Sequence, residues 1–220
     1  MIWDTLRLSI IIVSIATAVI AVAGTALGWL LAKRNFRGKD LLDAVLTLPM
    51  VLPPTVTGYY LILLLGRRGL LGKPLYDLTG WAVTFTWIAA VIAATVIAMP
   101  LMIKSARAAI ESVDAEYEIA SRIMGKSEFE TFFRITLPLA GRGILAGVVL
   151  SFARAFGEFG ATLMLAGNIP GRTQTLSLAI FNFVQTGKDS EAYVLLAITV
   201  GLAFAFVWCS EWLARTGKRS

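Results

Sequence analysis

The chain contains no histidine and a single cysteine, Cys209, and only 15% of its 220 residues are charged. Without histidine there is no ordinary proton shuttle, no Ser-His-Asp triad and none of the commonest metal ligand. The lone cysteine, set inside an apolar block, excludes a disulfide framework and a cysteine metal site. No metal site is expected. A soluble domain carries about 25% charged residues, so the shortage of charge points away from water. In its place the chain has apolar residues, 57% of the total. They gather in blocks: residues 8–32, 44–66, 78–103 and 192–210 hold no charge. Each block suits the roughly 17–25 residues that cross a hydrocarbon core as a helix. The polar surface left over could not enclose four of them. The chain reads as an all-α, polytopic membrane protein.

The first block is too long for the apolar core of a signal peptide and lacks a small-residue cleavage site. It is expected to stay in place as a span. Gly24 and Gly28 within it form a G-x-x-x-G pair, which either lets a neighbouring helix approach closely or is incidental. A further span covers residues 143–165, interrupted by Arg154 and Glu158. After the turn-rich residues 167–171, the uncharged stretch 173–187 is too short for a full crossing and suits a re-entrant or interfacial helix. Five full spans and one partial element result, within a single transmembrane domain over residues 1–220. Full crossing by the short element would make six spans.

Basic residues set the orientation. Residues 33–39, 104–142 and 215–220 together carry thirteen Lys and Arg on one side, against six on the other. The thirteen-residue side is expected to face the cytoplasm, with the N-terminus outside and the C-terminus inside. The formal charge of +6 is explained by these loops and implies no nucleic-acid partner; the partner common to all spans is the lipid bilayer.

The cytoplasmic loop at about 106–138 looks like a small structure of its own. Asp114 is placed to cap a helix over 115–124, with Tyr117, Ala120, Ser121 and Met124 on one face. Gly125 suits a left-handed helix stop. Ser127 and Glu130 then resemble a capping box opening a second short helix. That helix is expected to set Phe129, Phe132 and Phe133 on one face and to end near Leu137 and Pro138. Such aromatics either fill a groove on a protein partner or lie in the lipid headgroup layer. Gly125-Lys126-Ser127 is a decoy for a phosphate-binding loop: the earlier glycine would fall at Ala120, and no strand precedes it.

Two segments mark a path through the membrane. Pro49, Pro53 and Pro54 interrupt the second span just before Thr55, and a helix broken at membrane depth needs protein or a water-filled cavity beside it. The break either lines a transport path or only shapes packing. In the fourth span, Arg154 and Glu158 are four residues apart and can pair on one face. Ionisable groups at that depth are costly and functional by default; neutralising each other is the plainer alternative. Gly157, Phe159, Gly160 and Thr162 complete this stretch, in which Glu158 is expected to serve a gate or helix packing.

From Glu118-Ile119-Ala120 through Gly125 to Ile135-Thr136-Leu137-Pro138, the loop resembles the E-A-A coupling motif of ABC importer permeases. The nine residues between Gly125 and Ile135 match that pattern. Its front departs: Glu118 lies one residue further from the glycine, and Ile119 replaces an alanine. The resemblance implies docking of this loop into a cytoplasmic ABC ATPase subunit and a type I permease fold. The Leu-Pro-x-Val-Leu-Pro-Pro-Thr-Val stretch, the Arg-x-x-Gly-Glu-Phe-Gly-Ala-Thr stretch and the sequence from Asn168 to Thr173 resemble molybdate permeases. Gly-Glu-Phe-Gly-Ala is shared with sulfate and tungstate permeases; the other two stretches favour molybdate.

What the resemblance implies is a homodimer in a prokaryotic inner membrane, with an ATPase dimer inside and a molybdate-binding protein outside. It also implies that the chain binds no cofactor itself, ATP and Mg being used by the ATPase. A stand-alone secondary transporter would instead show inverted repeats and coupling-ion carboxylates. No repeat is visible, and Glu158 is the only carboxylate well inside a span.

Overall fold

The computed structural model describes residues 2–216, with side chains through residue 208. Lys218 and Arg219 of the basic tail lie outside the described residues, as do the side chains of Cys209 and Arg215. Every regular element among the described residues is a helix. In chain order they are α1 (Ile2–Lys33), α2 (Lys39–Val51), α3 (Pro54–Leu65), α4 (Gly72–Thr79), α5 (Trp87–Glu111), α6 (Ala115–Ile123) and α7 (Glu128–Thr131). A π-helical turn, Phe132–Thr136, then leads into α8 (Leu137–Phe156), followed by α9 (Gly160–Ala166), α10 (Leu176–Gln185) and α11 (Asp189–Thr216).

Helix α5 is the axis of the bundle, with α1 on one side and α8 on the other. All three meet through small residues. A Cβ at Gly24 would lie 2.5 Å from Met102 Cγ, and one at Gly28 would lie 2.8 Å from the Ala106 Cβ. From the other side, a Cβ at Gly143 would lie 2.5 Å from the Ala109 Cβ, and one at Gly147 would lie 2.7 Å from that of Ser105. Ala90, Ala94, Ala98 and Ala106 of α5 are almost wholly buried. In a bilayer the tails are as apolar as the side chains, so close backbone approach and dispersion, rather than escape from water, hold such helices together. The Gly24–Gly28 pair is a packing surface.

The third span departs from its sequence block. It was expected to begin at residue 78, but α4 ends at Thr79 with Gly80 in the left-handed conformation (φ 68°). The membrane helix starts only at Trp87, where the Thr86 hydroxyl accepts from the Ala89 amide. Uniform apolarity hid a turn that only the cap chemistry marks. The second span is split into α2 and α3 at Leu52 and Pro53, both extended, because neither Pro53 nor Pro54 can donate an amide. Helix α10 has ten residues, about 15 Å at 1.5 Å per residue, too short to cross. It packs on α11 and on the start of α1, where its Leu176 amide donates to Ser9 Oγ at 2.8 Å.

A second correction concerns Pro138. The helix opened by Ser127 does not stop there. It runs on as one apolar helix over Glu128–Phe156. The proline has no amide, and its ring crowds the Arg134 carbonyl. The backbone answers by widening into a π turn just before it, closed by the Leu137 amide on the Phe132 carbonyl. An expected helix stop is therefore a joint in a continuous rod.

Candidate translocation and coupling sites

The break in the fourth span is built around Glu158. Helix α8 ends at Phe156, Phe159 leaves helical geometry (φ −134°), and α9 restarts at Gly160. One Glu158 oxygen accepts from Arg154 Nη1 at 3.0 Å and the other from the Ala161 amide at 2.8 Å. The carboxylate thus joins the last turn of α8 to the first of α9, where unsatisfied amides favour negative charge. Its side chain is only 2% exposed, whereas that of Arg154 is 34% exposed. The anion is sealed in and the cation faces outward.

This break lies against the break in the second span. A Cβ at Gly160 would sit 3.0 Å from Pro54 Cβ and 3.3 Å from the Thr55 amide nitrogen. One turn further on, a Cβ at Gly58 would sit 2.8 Å from Ala161 Cα. Helices α3 and α9 therefore touch backbone to backbone, which two side-chain-bearing helices cannot do. Thr162 is buried here, while Pro53, Thr55 and Gly157 are exposed. Phe159 packs against Phe181 of α10, with ring centroids 5.1 Å apart. The structure brings together the two interruptions that the sequence had marked separately.

At the other end of α8 stands the loop unit. Asp114 caps α6 by accepting from the Glu116 amide, and Ser127 caps α7 by accepting from that of Glu130. Gly125 takes the left-handed conformation (φ 79°), and the Lys126 amide returns to the Ser121 carbonyl at 3.2 Å. Lys126 donates to Glu130 at 2.7 Å. Inside the unit the Ser121 and Thr131 hydroxyls bond at 2.9 Å. The unit exposes apolar side chains: Ile123 is 81% exposed and Phe129 74%, and Ala120, Met124 and Phe133 are exposed as well. Ile135 and Leu137 are half-buried in the joint, and Pro138 is exposed.

The three phenylalanines do not share a face as expected. Phe129 and Phe133, four apart, are both exposed and meet at a tilt of 54° with centroids 4.6 Å apart. Phe132 turns inward and meets Trp29 of α1 edge-on at 5.6 Å. A helix face repeats at three or four residues, so neighbours such as 132 and 133 part by about 100°. Glu118 also points inward: only 5% exposed, it accepts from Lys33 Nζ at 2.9 Å and Thr136 Oγ1 at 2.6 Å.

Residues 24–216 match the family described as binding-protein-dependent transport system inner membrane component. This chain belongs to that family. Among curated relatives, the molybdenum transport system permease protein ModB of Escherichia coli (strain K12) is 45% identical over 98% of this chain and 95% of its own length. The ModB protein of Haemophilus influenzae is 44% identical over 85% and 82%. Among solved structures, an inward-facing MetNI methionine ABC transporter shares the fold. Its TM-score is 0.70 at 16% identity, covering 98% of this chain and 93% of that one.

The paired breaks and the loop unit lie at opposite ends of one helix. Three participants escaped the sequence reading: Gly58, Thr136 and the Trp29–Lys33–Arg34 end of α1. Lys33 and Arg34 carried a signal, but only as charges that orient the membrane. Among the described residues no three His, Cys, Asp or Glu side chains converge as a metal site would require.

Proposed function

We propose that this chain is the pore-forming and coupling subunit of an ATP-driven molybdate importer, acting as a homodimer. The observation that carries the coupling is the unbroken helix from Glu128 to Phe156, about 43 Å long at 1.5 Å per residue. One end bears the outward Phe129 and Phe133; the other ends at the Arg154–Glu158 break beside Pro54 and Thr55. A push on the aromatic end is therefore delivered to the break without passing through a flexible loop.

In this reading the loop units dock into a pair of cytoplasmic ATPases, which alone use ATP and Mg. Their closure draws the two loop units together, swings the α8 rods and turns the cavity outward. Hydrolysis resets it. Arg154, cationic and partly open, attracts a dianion, while Glu158 is neutralised by Arg154 and the Ala161 amide and serves the gate. Sequence likeness to molybdenum permeases over nearly the whole chain supports molybdate as cargo, delivered by an external binding protein that supplies most of the selectivity. The protein sits in the inner membrane of a prokaryote, N-terminus outside and C-terminus cytoplasmic, as the basic charge at the loop-unit end favours.

Phe129→Asp tests the docking surface. An aromatic anchor at the centre of an interface is worth about 2–4 kcal/mol, so recovery of the ATPase with the purified chain is expected to fall more than about tenfold. Membrane insertion should be unaffected. Full recovery would overturn the docking assignment.

A further inference from the structure

The long first helix reaches further than the membrane requires. Its 32 residues span about 48 Å at 1.5 Å per residue, against a hydrocarbon core of about 30 Å. Its C-terminal end lies beside the loop unit, and three contacts bind it there. Lys33 Nζ donates to Glu118 at 2.9 Å. Arg34 pairs with Glu128 while its guanidinium lies 5.7 Å from the centre of the Trp29 ring. Trp29 in turn packs edge-on against Phe132.

These contacts are not equal. Arg34 and Glu128 are each about half exposed, and a pair of that kind contributes little. Lys33 and Glu118 differ: the Glu118 side chain is only 7% exposed and that of Lys33 22%. A carboxylate so buried must be matched by donors. Its other cation, Arg122 on its own helix, stands 3.9 Å away, beyond a hydrogen bond. Thr136, in the π turn, supplies the second donor at 2.6 Å. Glu118 thus gathers three elements on one carboxylate: α6 that carries it, α1 through Lys33, and the base of the α8 rod through Thr136.

We infer that Lys33 is a positioning residue for energy coupling, fastening α1 to the loop unit through Glu118 so that α1 and the α8 rod move together. This rests on the coupling role given above to the loop unit. The route it adds runs outside that rod. A displacement of α6 reaches α1 across a charged bond between residues 85 apart in sequence. It then passes into α5 through the Gly24 and Gly28 contacts. Without Lys33 the loop unit can shift while α1 stays behind, so ATP is hydrolysed with less transport. Lys33 lies beneath the docking surface rather than on it, so attachment of the ATPase does not depend on it.

The test uses the whole complex in proteoliposomes, with binding protein, and reads molybdate taken up per ATP hydrolysed. Lys33→Ala is expected to lower that ratio at least fivefold while the ATPase still co-purifies. Lys33→Arg should keep it near normal, and Thr136→Val should lower it by a smaller factor. The exchange Lys33→Glu with Glu118→Lys should recover most of the ratio lost in either single variant. An unchanged ratio in Lys33→Ala overturns the inference, as does an exchanged pair no better than the singles. If Lys33→Ala does not accumulate, Thr136→Val and the exchange decide by the same criterion. These outcomes are separate from the docking reading, which falls only if Phe129→Asp retains the ATPase.

Discussion

Glu158→Ala is expected to be among the most damaging single substitutions in the chain. It removes the cation's partner and the acceptor of the Ala161 amide together, at a site where water cannot fully replace them. Breaking a buried ion pair from one side costs about 3–5 kcal/mol. Arg154 is about one-third exposed, so the lower end, about 3 kcal/mol, applies. For a chain of this length that corresponds to a fall in Tm on the order of 10 °C, measurable on the detergent-purified complex. Glu158→Gln is the informative partner. It keeps an oxygen for the Ala161 amide but loses the charge and the acceptor for Arg154, so its fall in Tm should be smaller. Equal losses in the two variants would mean that the charge alone matters and that the bridge to α9 does not.

Gly58→Leu is expected to abolish transport by forcing α3 and α9 apart. Its Cβ would lie 2.8 Å from both Ala161 Cα and Met164 Cβ. The first is backbone and cannot swing aside, so the two breaks must lose their registry. Overpacking of this kind costs about 1–3 kcal/mol, but the functional loss should exceed the loss of stability because the displaced surface is the break itself. Uptake below about a tenth of normal is expected, with assembly still detectable. Gly141→Ala provides the comparison: no atom lies within 4 Å of an added Cβ there, so uptake should be unchanged. Normal transport by Gly58→Leu would show that close contact of α3 and α9 is dispensable.

What the sequence made legible was local chemistry. Asp114, Gly125 and Ser127 each act within a few residues: the two side chains cap helices, and the glycine, lacking one, takes the left-handed stop. The Arg154–Glu158 pair likewise needed only one helical turn, and the short length of α10 followed from counting. What escaped depended on distance or on competition. The Lys33–Glu118 bond joins residues 85 apart, and no pattern within either segment announces it. Gly58 was one glycine within a proline-rich run until α9 was placed against it. Pro138 by itself implies a stop, since proline removes an amide and crowds the preceding turn. Packing of α8 against α5 kept the helix intact, and a π turn absorbed the strain. Three phenylalanines in five residues suggest one surface, but Phe132 turns to meet Trp29 of α1.

The most direct test of the account is uptake of labelled molybdate into proteoliposomes holding this chain with its ATPase, supplied with the external binding protein. The expected result is uptake that requires ATP and Mg, stops when the ATPase is omitted, and is competed by tungstate but little by sulfate. Uptake that continues without ATP or without the ATPase would contradict the coupling role of the loop unit, and displacement of molybdate by sulfate would contradict the substrate.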